Sequence, residues 1–292
     1  MGLLSGLEKF GLGGHADIDI TKQLEPEKKA EPIAEEKKEE KKEPDEMDFL
    51  LARNFVCPVC DRKFKALAVR STRLRRLEPD FDLRPRCQYI DVIKYDTVLC
   101  PSCGYAAMGN YFEPLSSFQI KRLKEQVMSK YKPVLEDKGT STYSYEDAIT
   151  RYQLCLVSAM VKNSKMSEKA YICLKTAWLY REIYDNTPDF SKEEVLKRRK
   201  LKEQYDGFYR QAYDGFIKAV SSEAPPFCGM NMNTMEYLLA NMSVYFQDVP
   251  VATRYISNLI TSKTISSKMK DRALDLKDQL LEIKETKRNQ DK

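Results

Sequence analysis

Polar and apolar positions divide the chain into stretches of different character. Residues 25–46, EPEKKAEPIAEEKKEEKKEPDE, contain no aromatic side chain and one isolated isoleucine, Ile33. Such a run buries too little apolar surface to offset the entropy of ordering, so a disordered, charged linker is predicted over 25–48. From about residue 54 to 112 the pattern changes to short runs of β type, CDRKFKALAV and IDVIKYDTVL. Beyond Ser116 the helical period takes over. Ser116-Ser-Phe-Gln119 has the form of a capping box, and Pro133 and Gly139 close the helix it opens. Further helices are predicted over 145–161, 167–185, 191–220, 234–247, 250–261 and 267–285. The Ser191 and Glu194 pair and Pro250 in a first turn support two of these starts.

Three helical segments share a small residue, a large apolar residue four later and an apolar one three beyond. They are Ala170, Leu174, Ala177; Ala212, Phe216, Ala219; and Ala252, Ile256, Leu259, spaced by 42 and 40 residues. Small residues at such points let paired helices approach closely. A stack of lengthened tetratricopeptide-like repeats fits, with a concave face for an extended partner, and so does an irregular bundle with these stripes as its core. Met269, Ala273, Leu276, Leu280 and Ile283 form one stripe suited to capping either. The expected fold is mostly α, with a small β module over 49–114 in front of a helical-repeat body over 115–288. Residues 1–24 place Leu3, Leu4, Leu7 and Phe10 on one stripe if helical, so this segment is either a frayed tail or a piece that docks in a groove of this protein or of a partner.

Charge sharpens the division. Lys and Arg exceed Asp and Glu by 49 to 44 overall, a weak bias. Locally, 22–48 carries seven Lys against eleven acids, whereas 62–86 carries nine Lys and Arg against three acids. An acidic linker thus precedes a basic module. No apolar stretch approaches the roughly 20 residues a bilayer requires, and no secretory leader is visible in MGLLSGLEKFGLGG, so a cytoplasmic location is expected. In a reducing compartment, eight cysteines favour metal ligation or inert burial over disulfides.

Cys57-Pro-Val-Cys60 and Cys100-Pro-Ser-Cys103-Gly104 are two CxxC knuckles. Two intervening residues let a tight turn aim both sulfurs at one point, and Gly104 supplies permissive backbone. Four thiolates suit one Zn2+, which takes a closed tetrahedral sulfur shell in structural sites. The 39 residues between Cys60 and Cys100 exceed the usual ribbon interval of about 15 to 20, so a long insertion separates the knuckles. Redox pairs and unligated burial are the alternatives, though neither pair opens a helix in a βαβ pattern as the redox reading prefers. Cys87, within the insertion, is a further candidate ligand or a buried thiol. Cys155 and Cys173 read as small buried hydrophobes, and Cys228, in APPFCGMN, as an exposed thiol.

On CPVCDRKFKALAVRSTRLR, YDTVLCPSCGYAA and TAWLYREI, over approximately residues 54 to 285, the chain resembles the bacterial domain-of-unknown-function 2225 family, whose members place two CxxC knuckles ahead of tetratricopeptide-like helices. The resemblance implies the architecture and maps the family's knuckles onto Cys57, Cys60, Cys100 and Cys103. It implies no reaction, substrate or cofactor beyond the metal. Asp61 stands where a glycine is more usual after the first pair, a departure expected to strain that knuckle slightly.

Arg70, Arg73, Arg75, Arg76, Arg84 and Arg86 crowd the insertion, with Phe64, Phe81 and Tyr89 interleaved. They read as a solvated charged face or as contacts to nucleic-acid phosphates, partly offset by Asp80 and Asp82. The single histidine, His15, lies in the N-terminal segment, and HExxH, GxSxG, Walker and GxGxxG patterns are all missing. The reading is therefore a non-catalytic zinc protein that binds a protein or peptide through its helical groove. Nucleic acid is the alternative, and carboxylate or cysteine chemistry stays open.

Overall fold

The computed structural model describes residues 44–132 and 141–290. The N-terminal stripe, most of the linker, His15, Pro133 and Gly139 lie outside these residues. Residues 44–48, assigned from composition to the linker, are folded: Asp45 caps a 3-10 turn over Glu46–Phe49, and Glu46 meets Lys94 at 2.8 Å. Two short antiparallel hairpins follow. β1 (Leu50–Val56) pairs with β2 (Lys63–Val69) in the register Leu50↔Val69 to Val56↔Lys63, and β3 (Thr97–Leu99) pairs with β4 (Ala106–Met108). Each hairpin turns at one CxxC pair.

The run IDVIKYDTVL is strand only at Thr97–Leu99. Val92–Tyr95 instead forms a 3-10 turn, because the Asp91 side chain accepts the Ile93 N–H at 3.0 Å and so competes with a strand ladder. Between β2 and this turn the chain folds back on itself, with Arg76 bridged to Cys87 and the Leu77 N–H donating to the Arg86 carbonyl at 2.9 Å. Residues 76–87 thus form an irregular hairpin.

Seven α-helices occupy most of the remaining described chain: α1 (Ser117–Leu123), α2 (Tyr145–Val161), α3 (Met166–Asp185), α4 (Lys192–Ser222), α5 (Met232–Tyr245), α6 (Val249–Thr261) and α7 (Ser267–Gln290). The Ser116 and Gln119 capping box starts α1, which continues as a π-helical turn over Lys124–Met128, and the Ser191 and Glu194 box starts α4. The expected boundaries of α2 to α6 hold within two residues, α7 runs five residues further, and the first helix, expected to close at Pro133, ends its helical turns at Met128.

Consecutive helices from α2 onward pack against each other. Ala170 near the start of α3 lies against Gly215 near the end of α4, and Tyr180 stacks on Phe208 at 5.7 Å, so these two run antiparallel. A Cβ on Gly215 would sit 2.8 Å from the Ala170 methyl, which is why this contact requires small residues. All nine residues of the three Ala-led stripes are buried, as are Ala273, Leu276 and Leu280 of α7. Ile93, Leu99, Ala106 and Met108 belong to the same core, and the Ala106 N–H donates to Ser158 Oγ of α2 at 3.2 Å. The β module is therefore fused to the helices by a shared interior. Among the described residues no helix is long and apolar enough to cross a membrane.

Candidate metal centre

The two knuckles have the same local construction. In the first, the Asp61 N–H donates to the Cys57 carbonyl at 2.9 Å and the Cys57 N–H to the Arg62 carbonyl at 2.9 Å. In the second, the Gly104 N–H donates to the Cys100 carbonyl at 3.0 Å and the Cys100 N–H to the Tyr105 carbonyl at 2.9 Å. Closing the turn this way puts the residue after each pair into the left-handed region, φ 59° at Asp61 and 73° at Gly104. Asp tolerates that region better than most side chains, so the first knuckle keeps the geometry of the second without a glycine. At Gly104 a side chain would also clash, since a Cβ would lie 2.3 Å from Cδ2 of the Tyr131 ring.

The turns aim four sulfurs at one point. Cys57 Sγ lies 3.5 Å from Cys103 Sγ, Cys60 Sγ lies 3.6 Å from Cys100 Sγ, and all four fall within 4.8 Å of one another. Cys57, Cys100 and Cys103 are buried, and Cys60 reaches the edge. Around them close Val59, Val98, Tyr105 and Phe112, with Leu123 of α1 and Val127 of the π-helical turn behind. Backbone N–H groups of Val59 and Cys60 point at the Cys57 sulfur, and those of Ser102 and Cys103 at Cys100.

Four thiolates this close repel, so without a cation protons are shared among them. Hydrogen bonds from Cys103 and Cys57 draw the Cys100 thiol down to about 2. The bond it gives Cys100 pushes Cys57 up to about 12, and Cys103 is raised by the same partner, by Cys57 and by burial. A divalent cation at the centre reverses that logic by stabilising every thiolate at once. The four cysteines can hold one metal ion. Cys87 is not among them: it sits half-buried at the base of the irregular hairpin, its thiol raised by desolvation. Cys155 and Cys173 are buried as expected, and Cys228 is only partly exposed.

The six arginines of the insertion are dispersed. Arg84 is fully buried, its guanidinium 2.7 Å from Asp91 and 2.6 Å from Glu182 of α3. The Glu182 contact is an ion pair by distance without hydrogen-bond alignment, and Arg84 Nε has no hydrogen-bond partner. Arg86 joins Asp80 at 2.8 Å and Glu182 at 2.7 Å. Arg70 and Arg73 donate to the carbonyls of Leu50 and Asp48 at 2.8 and 3.0 Å, and together with Arg75 and Arg76 they are exposed.

Sequence reasoning missed the acids that organise this region. Asp80 and Asp82 do not merely offset the arginines. Asp82 is 2 % exposed and accepts from Trp178 Nε1 at 2.7 Å and from Arg181 at 2.7 Å. The alternation of acids in Glu78-Pro-Asp-Phe-Asp82 is the signal that was available.

No curated protein and no solved structure matches the chain. A family model described as an uncharacterized protein conserved in bacteria, DUF2225, matches residues 50–280. That span takes in both hairpins, all four cysteines and the helices as far as Leu280 of α7, and the chain therefore belongs to the DUF2225 family.

Proposed function

We propose that the protein is a non-catalytic interaction scaffold: one structural Zn2+ clamps its two knuckles, and its repeat-like helical body offers the binding surface to another protein. The observation that carries this reading is the closed, buried thiolate shell. A Zn–S bond of about 2.3 Å places the sulfurs of a tetrahedral site roughly 3.8 Å apart. The closest pairs here, at 3.5 and 3.6 Å, lie within a few tenths of that value. Four sulfur donors select zinc over hard cations, and a full protein shell leaves no position for substrate or activated water. When bound, the ion supplies cross-linking free energy to a module whose apolar cluster is small. The antiparallel packing of α3 on α4, and the contact of each helix from α2 onward with the next, support a stack with an extended face.

Metal analysis of purified, reduced protein should give about one zinc per chain, and Cys100→Ser should lower both metal content and melting temperature. A reproducible protein partner should be captured from bacterial lysate by the intact chain and lost with Cys100→Ser. Metal well below one equivalent in fully reduced protein refutes the zinc site, and repeated capture of nothing refutes the scaffold.

The exposed arginines, Arg70, Arg73, Arg75 and Arg76, support a second and weaker reading as phosphate contacts, since Arg84 and Arg86 are committed to carboxylates. Oligonucleotide binding with a log-log salt slope of several units would favour it, and a flat slope would end it.

A further inference from the structure

A cleft of about 1010 Å³ opens where β1 and β2, the irregular hairpin and α3 meet. Its volume is at the upper end of the range in which proteins hold small organic ligands. Much of the wall is aliphatic. Leu67 and Val69 of β2 line it with Val92 and Val98, and Val56 and Leu77 complete that surface at 47 % and 49 % exposure. Leu67 and Val98 are buried, so the two exposed side chains extend an apolar wall that begins in the interior. Water wets such a wall at a free-energy cost, which an apolar body seated in the cleft would remove.

Charge decides what kind of apolar body fits. Most ionised groups on the wall are already matched. Lys175 pairs with Asp96 and lies 4.3 Å from the Tyr171 ring, and Arg86 pairs with Asp80 and Glu182. Among the described residues, the exposed side chains of Arg53, Arg76 and Glu113 have no hydrogen-bond or ion-pair partner. Arg53 only lies over the Phe55 ring, at 5.4 Å. Two free guanidinium groups thus stand against one free carboxylate, and Arg73 and Arg75 are exposed on the adjoining segment. The rim is therefore net positive, which favours an anion.

We infer that this cleft binds an amphipathic organic anion, its apolar body along Leu67, Val69, Val92 and Val98 and its anionic head at the exposed guanidinium groups of Arg53 and Arg76. A guanidinium fork donates to carboxylate and phosphate oxygens alike, so the two heads share one chemistry that experiment can resolve. The site goes beyond the scaffold reading, since it needs neither a protein partner nor the helical surface. A ligand seated there touches β2, the irregular hairpin and Tyr171 of α3 at once, and so ties the β module to the helices.

Cys87 supplies a local reporter, because it is half-buried and is the one cysteine on this wall. Full-length protein as purified is titrated calorimetrically with decanoate, while alkylation of Cys87 by iodoacetamide is followed by peptide mass spectrometry. Decanoate should bind saturably and slow that alkylation several-fold, and octanoate, two methylenes shorter, should bind roughly tenfold more weakly. Decyl phosphate should protect as well, and the tighter of the two heads names the natural one. Decyltrimethylammonium, with the same chain and the opposite charge, should not protect. Arg53→Gln/Arg76→Gln removes two exposed, unpaired groups and should weaken decanoate about tenfold while leaving decan-1-ol unchanged. Equal protection by anion and cation, or protection by none of them, overturns the inference. Should Cys87 alkylate too slowly to follow, Val56→Cys on the same wall takes over as reporter. Protection that disappears on deleting residues 1–24, with decanoate then without effect, assigns the cleft to the chain's own N-terminal segment and also sinks the proposal.

Discussion

Arg84→Met asks how much the buried ion network contributes to holding the irregular hairpin on the helices. The side chain has no exposed surface and sits between Asp91 and Glu182, which are 12 % and 19 % exposed. Methionine approximates its aliphatic stem and removes the charge. Deleting one partner of a buried pair costs about 3–5 kcal/mol, because the remaining charge is left desolvated. Here the upper end does not apply. Glu182 retains Arg86 at 2.7 Å, and Asp91 retains the Ile93 N–H at 3.0 Å, so neither acid is stranded. The unsatisfied Arg84 Nε, whose burial already costs free energy, is removed as well. These terms bring the expected loss to about 2–3 kcal/mol, or roughly 4–12 °C in melting temperature for a chain of this size. Urea unfolding followed in parallel by Trp178 fluorescence and far-ultraviolet ellipticity measures it, with the fluorescence transition moving to lower urea. A loss below about 1 kcal/mol would show that the network is screened by water and does not fix the hairpin.

The two knuckle turns should respond oppositely to substitution at equivalent positions. Gly104→Ala places a methyl in the left-handed region and into the Tyr131 ring, and should cost about 2–3 kcal/mol with weakened metal retention against a chelator. Asp61→Gly relieves a left-handed side chain but loosens the unfolded chain, so it should fall between neutral and about 1 kcal/mol stabilising in the same denaturation assay. A silent Gly104→Ala would contradict this account of the turn. Acid should loosen the hairpin selectively. Burial opposes ionisation of Glu182, yet Arg84 and Arg86 together hold it below 4.5. Asp80 is likewise held below 3.8, against its burial, by Arg86 first and then Arg181. Folded-state values below the unfolded ones mean a contribution that is complete above about pH 5 and is lost as pH falls through the depressed values. A titration of Trp178 fluorescence should be flat from pH 7 to 5 and change below about 4, and a transition centred near neutrality would refute the assignment.

The parts of the molecule legible in the sequence are those fixed by short-range chemistry. Cys57, Cys60, Cys100 and Cys103 could be placed together because a CxxC turn dictates where two sulfurs point, whatever lies in the 39 residues between the pairs. The helices were legible from period and caps, and the Ala170, Ala212 and Ala252 stripes are buried as the pattern required. β1 was not, because its burial runs mostly exposed from Leu51 to Asn54 and leaves no alternation to read. The arginines were opaque for a different reason. Arg84 has one carboxylate partner seven residues on, Asp91, but the second, Glu182, lies far along the chain on α3, and no local pattern brings the two together around it. Asp82 was likewise hidden until its partners Trp178 and Arg181 were brought to it.

The shared grip of α3, α5 and α7 on the acidic limb of the irregular hairpin, Glu78–Asp82, also bears on how the chain comes off the ribosome. Glu78 and Arg272 are 194 positions apart, and Phe81 and Tyr237 are 156 apart. At about 5–20 residues per second, the acidic limb waits roughly 10 to 40 seconds before its last cationic partner is made. During that interval Glu78 is unclaimed, while Asp80 already has Arg86 in its own hairpin and the turns at the two knuckles depend only on residues already synthesised. Metal capture can therefore precede closure, and truncation between Cys103 and α7 would leave a chain that carries all four sulfurs yet never pairs Glu78 with α7. The geometry makes the pairing of Glu78 a record that α7 has been made.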